Sequence, residues 1–417
     1  MKNRAVQIAL TFGVALLAVP ALAQSTELNI SESTPVSIAT IYIQTTSGVV
    51  VFTEASNGKL TEVKGSPFPV SGQMEDIGGN FLISVGTTIL HVYQIESNGA
   101  VGKQISEINT ASYSGSKCGG TGGQGSVLNH AGKYLYVQLN SLTNNACAAW
   151  QTYRLESDGY LQFVGDMEYY QSFDGSLYAA SAVPTISSSD KFGYSSFVNY
   201  GNCPGDGQPC PAFSAFVSNA EGVFEINSKF STTGPVPPPG TVWYPYAGPF
   251  ERADPNGHIA ALLTPVDQGN SFGRIQLASY TINPSTGALS SSNSYEKMPF
   301  LEIGDWDQCA CYGSILAMSM SPSGDVVAVG GEGLQLFHFN GAATPTSFGG
   351  TLGAGEQFQQ LEWDNNKHLF ALSYGAGQIF QYTVTSTSIT QAPGSPYQVP
   401  ATPDGVYGVK GMVIVPK

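Results

Sequence analysis

The sequence predicts an all-β fold, a seven-bladed β-propeller of four-stranded antiparallel blades whose ring is closed by the C-terminal strand. Three observations predict it. A polar hairpin turn recurs at Ser56-Asn57-Gly58-Lys59-Leu60, Ser97-Asn98-Gly99-Ala100-Val101, Ser157-Asp158-Gly159-Tyr160-Leu161 and Ser285-Thr286-Gly287-Ala288-Leu289. Each turn follows a strand rich in aromatic and β-branched residues, such as Val49-Val50-Val51-Phe52-Thr53 or Ala278-Ser279-Tyr280-Thr281-Ile282. The whole strand-and-turn unit recurs about seven times, and a supersecondary unit repeating at tens of residues marks a solenoid or a propeller.

The N-terminal segment stands apart from the repeat. Lys2 and Arg4 precede an apolar run from Val6 to Val19, and Ala21-Leu22-Ala23 follows as a small-x-small cleavage site. The run is short for a membrane span and has the layout of a signal peptide. Residues 1–23 are therefore expected to be removed on export to the periplasm or medium, with 24–36 a linker and 37–417 the propeller. No later stretch has the length and apolarity of a membrane span.

Composition agrees with short strands and many turns. Only 11% of the residues are charged, and there are 49 glycines and 25 prolines. The formal net charge is −14, which repels phosphate backbones and argues against nucleic-acid binding. The expected partner is a small molecule or an envelope or extracellular component, and the chain is expected to be a monomer without a cofactor. The six cysteines are Cys118, Cys147, Cys203, Cys210, Cys309 and Cys311. In an exported chain an even count reads as disulfides. Cys203 and Cys210 bracket a turn-rich loop, and Cys118 with Cys147 would staple neighbouring hairpins. Cys309-Ala310-Cys311 is too close for an unstrained ring, yet lacks the Cys-x-x-Cys spacing or nearby His of a metal site.

A second turn recurs ahead of each second strand. Asn129-His130-Ala131-Gly132-Lys133 leads into Tyr134-Leu135-Tyr136-Val137, and Ser321-Pro322-Ser323-Gly324-Asp325 into Val326-Val327-Ala328-Val329. Asp254 to His258, Asp364 to His368 and Ser187 to Lys191 fill the same slot. Gly, Asn and Asp recur there because tight turns need positive φ or side-chain bonds to the backbone. The first unit opens at Ile41-Tyr42-Ile43 with second-strand character and no inner strand before it. The chain closes on an orphan apolar strand, Gly411-Met412-Val413-Ile414-Val415. Joining these ends completes the first blade and removes two open sheet edges.

These phrases resemble the seven-bladed lactonase-type propellers, the superfamily of 6-phosphogluconolactonases and muconate-lactonising enzymes. The likeness lies in Ser321 to Val329, Asn129 to Val137 and Ala278 to Leu289. Gly65-Ser66-Pro67-Phe68-Pro69 and Gly394-Ser395-Pro396-Tyr397 resemble the end-of-repeat phrase of exported YVTN-type propellers. The resemblance implies a ligand site at the channel mouth and a Pro-His pair before an early inner strand. Here that stretch reads Gly123-Gln124-Gly125-Ser126, without His.

Loops entering the inner strands converge at the mouth of a propeller channel. The polar residues in that slot are Glu75 and Asp76, Gln124, Glu251 and Arg252, Asp305 and Asp307, and Glu356 and Gln357. Several carboxylates facing one arginine suit acid–base chemistry or the binding of a cation or a sugar. The five histidines show no metal-ligand spacing, and no Gly-x-Ser-x-Gly elbow occurs. The leading expectation is a lactonase-like propeller that binds a ligand or partner without the family's intact active site. The alternative is a hydrolase or isomerase acting on a small lactone or sugar acid. Geometry separates them: the enzyme reading needs Arg252 and at least two carboxylates at a common channel point.

Overall fold

The computed structural model describes residues 37–112, 121–141, 147–170, 172–173, 176–177, 184–199, 210–245, 250–267, 273–291, 293–303, 315–365, 367–400 and 408–417. They form seven sheets arranged as the blades of a propeller, and Ser172–Phe173 with Ser176–Leu177 make a separate two-stranded hairpin. Blade 1 is built from both ends of the repeat region. Its inner strand is Gly411–Pro416, followed outward by Ser37–Thr45, Gly48–Ala55 and Leu60–Glu62. Ile43 pairs with Met412 and Ala39 with Pro416, so the C-terminal strand closes the ring as the sequence predicts.

The inner strands of blades 2 to 7 are Gln73–Gly78, Thr121–Leu128, Thr185–Ile186, Glu251–Ala253, Ile315–Met320 and Gln360–Trp363. Each pairs with a second strand, reached through the turn that the sequence repeats. The turns work as their residues dictate. Asp254 Oδ1 accepts the N–H groups of Asn256 and His258, and Asp364 Oδ1 accepts that of His368. Ser187 and Ser321 do the same for Phe192 and Val326 through their hydroxyls. Blade 6 is compressed: Val326–His338 is one continuous run that pairs with the inner strand over residues 327–331 and with Thr346–Gln357 over 332–338. Gly333, at φ +103°, marks the change of partner.

Blades pack face to face, so strands are buried on both sides and read as nearly unbroken apolar runs. Val49, Val50 and Val51 are all buried. Seven apolar clusters fill the space between consecutive blades, such as Tyr136, Trp150, Phe216 and Phe224 between blades 3 and 4. Within that cluster Tyr136 stacks on Phe224 at 4.0 Å between ring centroids, and its hydroxyl donates to the Gly222 carbonyl.

Candidate active site in the central channel

The inner strands leave one edge facing the channel axis, and polar side chains of neighbouring blades cap it. Gln44 Nε2 donates to the Gly72 carbonyl while its Oε1 accepts the Met74 N–H, linking blade 1 to blade 2. Asp76 Oδ2 accepts the Leu128 N–H at 2.5 Å, linking blade 2 to blade 3, and Oδ1 accepts the Ile77 N–H at 2.8 Å. Thr185 Oγ1 accepts the Ala253 N–H, linking blade 4 to blade 5. Unpaired edge groups are thereby satisfied without closing the channel.

Inside this frame is a cavity of about 730 Å³ that takes residues from all seven inner strands. Its polar lining includes Glu75, Asp76, Ser126, Arg252, Gln360 and Glu362. Strand alternation would send Glu75 and Asp76 to opposite faces. A bulge between Met74 and Asp76, where the register with the second strand slips, brings both to the cavity. Arg252 pairs in register with Ala260, and its Nη1 donates to the Glu251 carbonyl at 2.7 Å. The charge of Arg252 reaches Glu362, which also accepts a long hydrogen bond from Gln360 Nε2 at 3.3 Å.

Burial controls the protonation of this group. It pushes the Glu75 carboxyl up to about 8, with the Ser126 N–H opposing and the Asp76 charge adding to the rise. Asp76 is pushed up to about 6 by burial, restrained by the N–H groups of Leu128 and Ile77. Glu362 rises to about 7 through burial, held back by Gln360 and Arg252 and raised further by Asp76. Burial lowers Arg252, and Glu251 and Glu362 counter it. Tyr374, at the turn after the second strand of blade 7, feels both Glu75 and Glu362 and is pushed up to about 12, chiefly by burial. Glu75 and Glu362, both raised toward neutrality in one cavity, can serve as proton donor and acceptor.

The sequence candidates divide accordingly. Glu75, Asp76 and Arg252 line the cavity, but Asp76 is committed to backbone donors and acts in the scaffold. Glu251 is 1% exposed and is not a lining residue; it backs Arg252 from behind. Gln357 ends the outer strand of blade 6, exposed and paired with Glu332, and Glu356 precedes it on that strand. The acid in that slot is Glu362, which sequence reading passed over. Gln124 lies on the inner strand of blade 3 with its side chain outside the described residues, and Asp305 and Asp307 lie wholly outside them. The same holds for Cys118, Cys203, Cys309 and Cys311, while Cys147 and Cys210 begin third strands with their side chains undescribed. His130 stands exposed at one end of the cavity, with Nδ1 2.8 Å from Asp190 Oδ1.

No protein-family model matches the chain, and no curated protein does. Solved structures do match. A candidate 6-phosphogluconolactonase from Bacteroides fragilis aligns over 91% of this chain and 98% of its own, at 13% identity and a TM-score of 0.56. Another from Bacteroides uniformis aligns over 91% and 100%, at 12% identity and a TM-score of 0.54. A protein from Lactobacillus plantarum aligns over 91% and 100%, at 13% identity and a TM-score of 0.54. Identity at this level speaks for architecture alone. Ring closure, blade count and these alignments together give the chain the fold of the seven-bladed lactonase-type propellers.

Proposed function

We propose that this protein is an exported lactonase-like propeller whose central channel binds a small hydroxyl-rich acid or its lactone. One observation carries the reading: Arg252 and the carboxyls of Glu75 and Glu362 meet on one cavity from blades 5, 2 and 7. Arg252 supplies a two-pronged donor for a carboxylate or carbonyl oxygen. Glu75 and Glu362, partly protonated near neutral pH, donate to and accept from hydroxyls. Export rests on the basic, apolar and small-residue succession of residues 1–23, and export in turn supports disulfides among the six cysteines.

A second reading, lactone hydrolysis, is favoured by the proton affinities in the cavity. Glu362 takes a proton from water as the water oxygen attacks the lactone carbonyl, and Arg252 stabilises the developing oxyanion. The ring C–O bond then breaks as Glu75 protonates the leaving oxygen, giving the open hydroxy acid. The departure from the family pattern at Gln124-Gly125-Ser126 leaves these residues, rather than a histidine, to do the work.

Calorimetry with gluconate and glucono-1,5-lactone, alongside a pH-indicator hydrolysis assay on a lactone panel, tests both readings. Binding that Arg252→Gln abolishes supports the channel as a ligand site. Turnover above the spontaneous rate, lost in Glu75→Gln, supports the enzyme. Absence of binding to any sugar acid or lactone overturns both.

A further inference from the structure

Charge is distributed unevenly over the channel. Among the described residues, Arg252 is the one lysine or arginine on the cavity wall, against the carboxyls of Glu75, Asp76 and Glu362. Its guanidinium already answers two acids, Glu251 behind it and Glu362 from blade 7. His130, at one end of the cavity, is matched by Asp190, 2.8 Å away. The segments outside the described residues add little positive charge: between residues 37 and 417 they hold a single lysine, Lys117, and no arginine.

Glu75 and Arg252 stand apart in this field. Glu75 belongs to the inner strand of blade 2 and Arg252 to that of blade 5, three blades further round the ring. Beside Glu75 are the Ser126 N–H, which its carboxyl accepts, and the carboxyl of Asp76, whose charge repels it. Asp76 turns its own oxygens to the Ile77 and Leu128 N–H groups. A ligand bearing only a carboxylate or phosphate brings one more negative charge into a buried site where carboxyls already outnumber cations. A ligand that also bears an ammonium sets a positive charge beside Glu75, reaching it across the channel from Arg252.

Taking the channel as the ligand site proposed above, we propose that its ligand is an amino sugar acid or the corresponding lactone. The ammonium lies on Glu75 and the carboxylate or carbonyl on Arg252. Contact between ammonium and carboxylate is a charge-assisted hydrogen bond, and the incoming positive charge favours the ionised form of Glu75. The bulge between Met74 and Asp76 is what turns Glu75 to the channel, so the selectivity for an amine resides in blade 2. A phosphorylated sugar acid, more negative still, is disfavoured by the same balance of charge.

The test is calorimetry of the full-length protein near neutral pH with three ligands: glucosaminate, gluconate and 6-phosphogluconate. Glucosaminate should bind about tenfold more tightly than gluconate, the size of one charge-assisted contact, and 6-phosphogluconate more weakly than both. Glu75→Gln removes the charge at nearly constant volume and should bring the two unphosphorylated acids to within about twofold of each other. Circular dichroism and thermal melting establish that the variant is folded. Gluconate binding as tightly as glucosaminate, 6-phosphogluconate binding the tightest, or a preference for the amine that survives in Glu75→Gln would each overturn the amine assignment and leave the channel as a site for acids. Binding of none of the three would overturn the assignment together with the channel reading.

Discussion

Gln360 holds Met412 by both backbone groups, donating from Nε2 to the Met412 carbonyl at 2.5 Å and accepting the Met412 N–H on Oε1 at 2.6 Å. A side-chain amide here imitates a neighbouring strand. It does so where the inner strand of blade 7 meets the C-terminal strand that completes blade 1. Gln44 performs the same service between blades 1 and 2. Closure therefore depends on polar clips near the axis as well as on the apolar cluster of Ile43, Phe370, Leu372 and Met412 farther out.

Gln360→Ala removes both bonds of the clip and is expected to lower stability by about 1–2 kcal/mol, since channel water compensates part of the loss. Gln360→Glu keeps an acceptor for the Met412 N–H but sets a carboxylate against the Met412 carbonyl and Glu362, so near neutral pH it should be no more stable than Gln360→Ala. Urea midpoints measured at constant m-value check the order. A midpoint in Gln360→Ala equal to that of the parent would reject the clip as a source of stability.

Much of the fold is legible in the sequence because each turn carries its own chemistry. Asn129, Ser187, Asp254, Ser321 and Asp364 all bond to backbone N–H groups at the start of the second strand, whatever their identity. The orphan strand at Gly411 to Val415 is legible for a different reason, since an apolar strand without a partner has to find one. The site is less so. Glu75 and Asp76 share the cavity only because of a bulge, and a strict alternation would separate them. Glu362 escapes notice because the outer strand of blade 6 runs on to Gln357, so the inner strand of blade 7 begins three residues later than the polar pair Glu356-Gln357 suggests. Tyr374 joins the cavity electrostatics through a turn that carries no sequence mark.

The closing seam also contains a buried charge cluster with a definite pH signature. His368 Nδ1 lies 2.8 Å from Glu54 Oε1 and 2.9 Å from Asp364 Oδ2, and Gln381 Nε2 donates to Glu54 Oε1 at 2.6 Å. Hydrogen bonds to Asp364 and Glu54 push the imidazole up to about 9. Its folded value lies above the unfolded one, so its contribution is complete below about pH 6.5 and is lost as pH rises through 9. Glu54 is raised as well, chiefly by burial, and acts in the same direction. Stability is expected to fall between pH 6.5 and 9.5, with roughly 2–3 kcal/mol of that fall due to His368. His368→Gln should flatten the profile in this window. A profile as steep as the parent's would show that the imidazole is not the group being titrated.

Glu75 shows that the channel trades stability for protonation chemistry. Burial raises its carboxyl from 4.5 to about 8, so the folded protein holds a proton that the unfolded chain releases in this range. Stability is therefore highest at acid pH for this group and is lost as pH climbs through 8. Glu75→Gln should match the parent near pH 4 and exceed it by about 2–4 kcal/mol at pH 9. Denaturant melts at the two pH values make the comparison. Equal stability at pH 9 would mean that Glu75 is solvated there and has no raised proton affinity to offer a ligand.

Arg252 and Glu362 supply the sharpest check on whether the cavity is electrostatically assembled. They come from blades 5 and 7, more than a hundred residues apart, and no local sequence feature couples them. The guanidinium holds Glu362 below the value that burial and Asp76 would otherwise impose, leaving it at about 7. Arg252→Gln should therefore move the Glu362 titration upward by roughly one pH unit, followed by carbon-13 chemical shifts of labelled glutamate with Glu362→Gln to assign the signal. The sign is decisive. A downward movement or none would place the arginine out of reach of the carboxylate, and the shared site for a sugar acid would lose its anchoring pair. An upward movement would also shift the pH dependence of any lactone turnover to higher pH, because the proposed base must lose its proton before it can activate water.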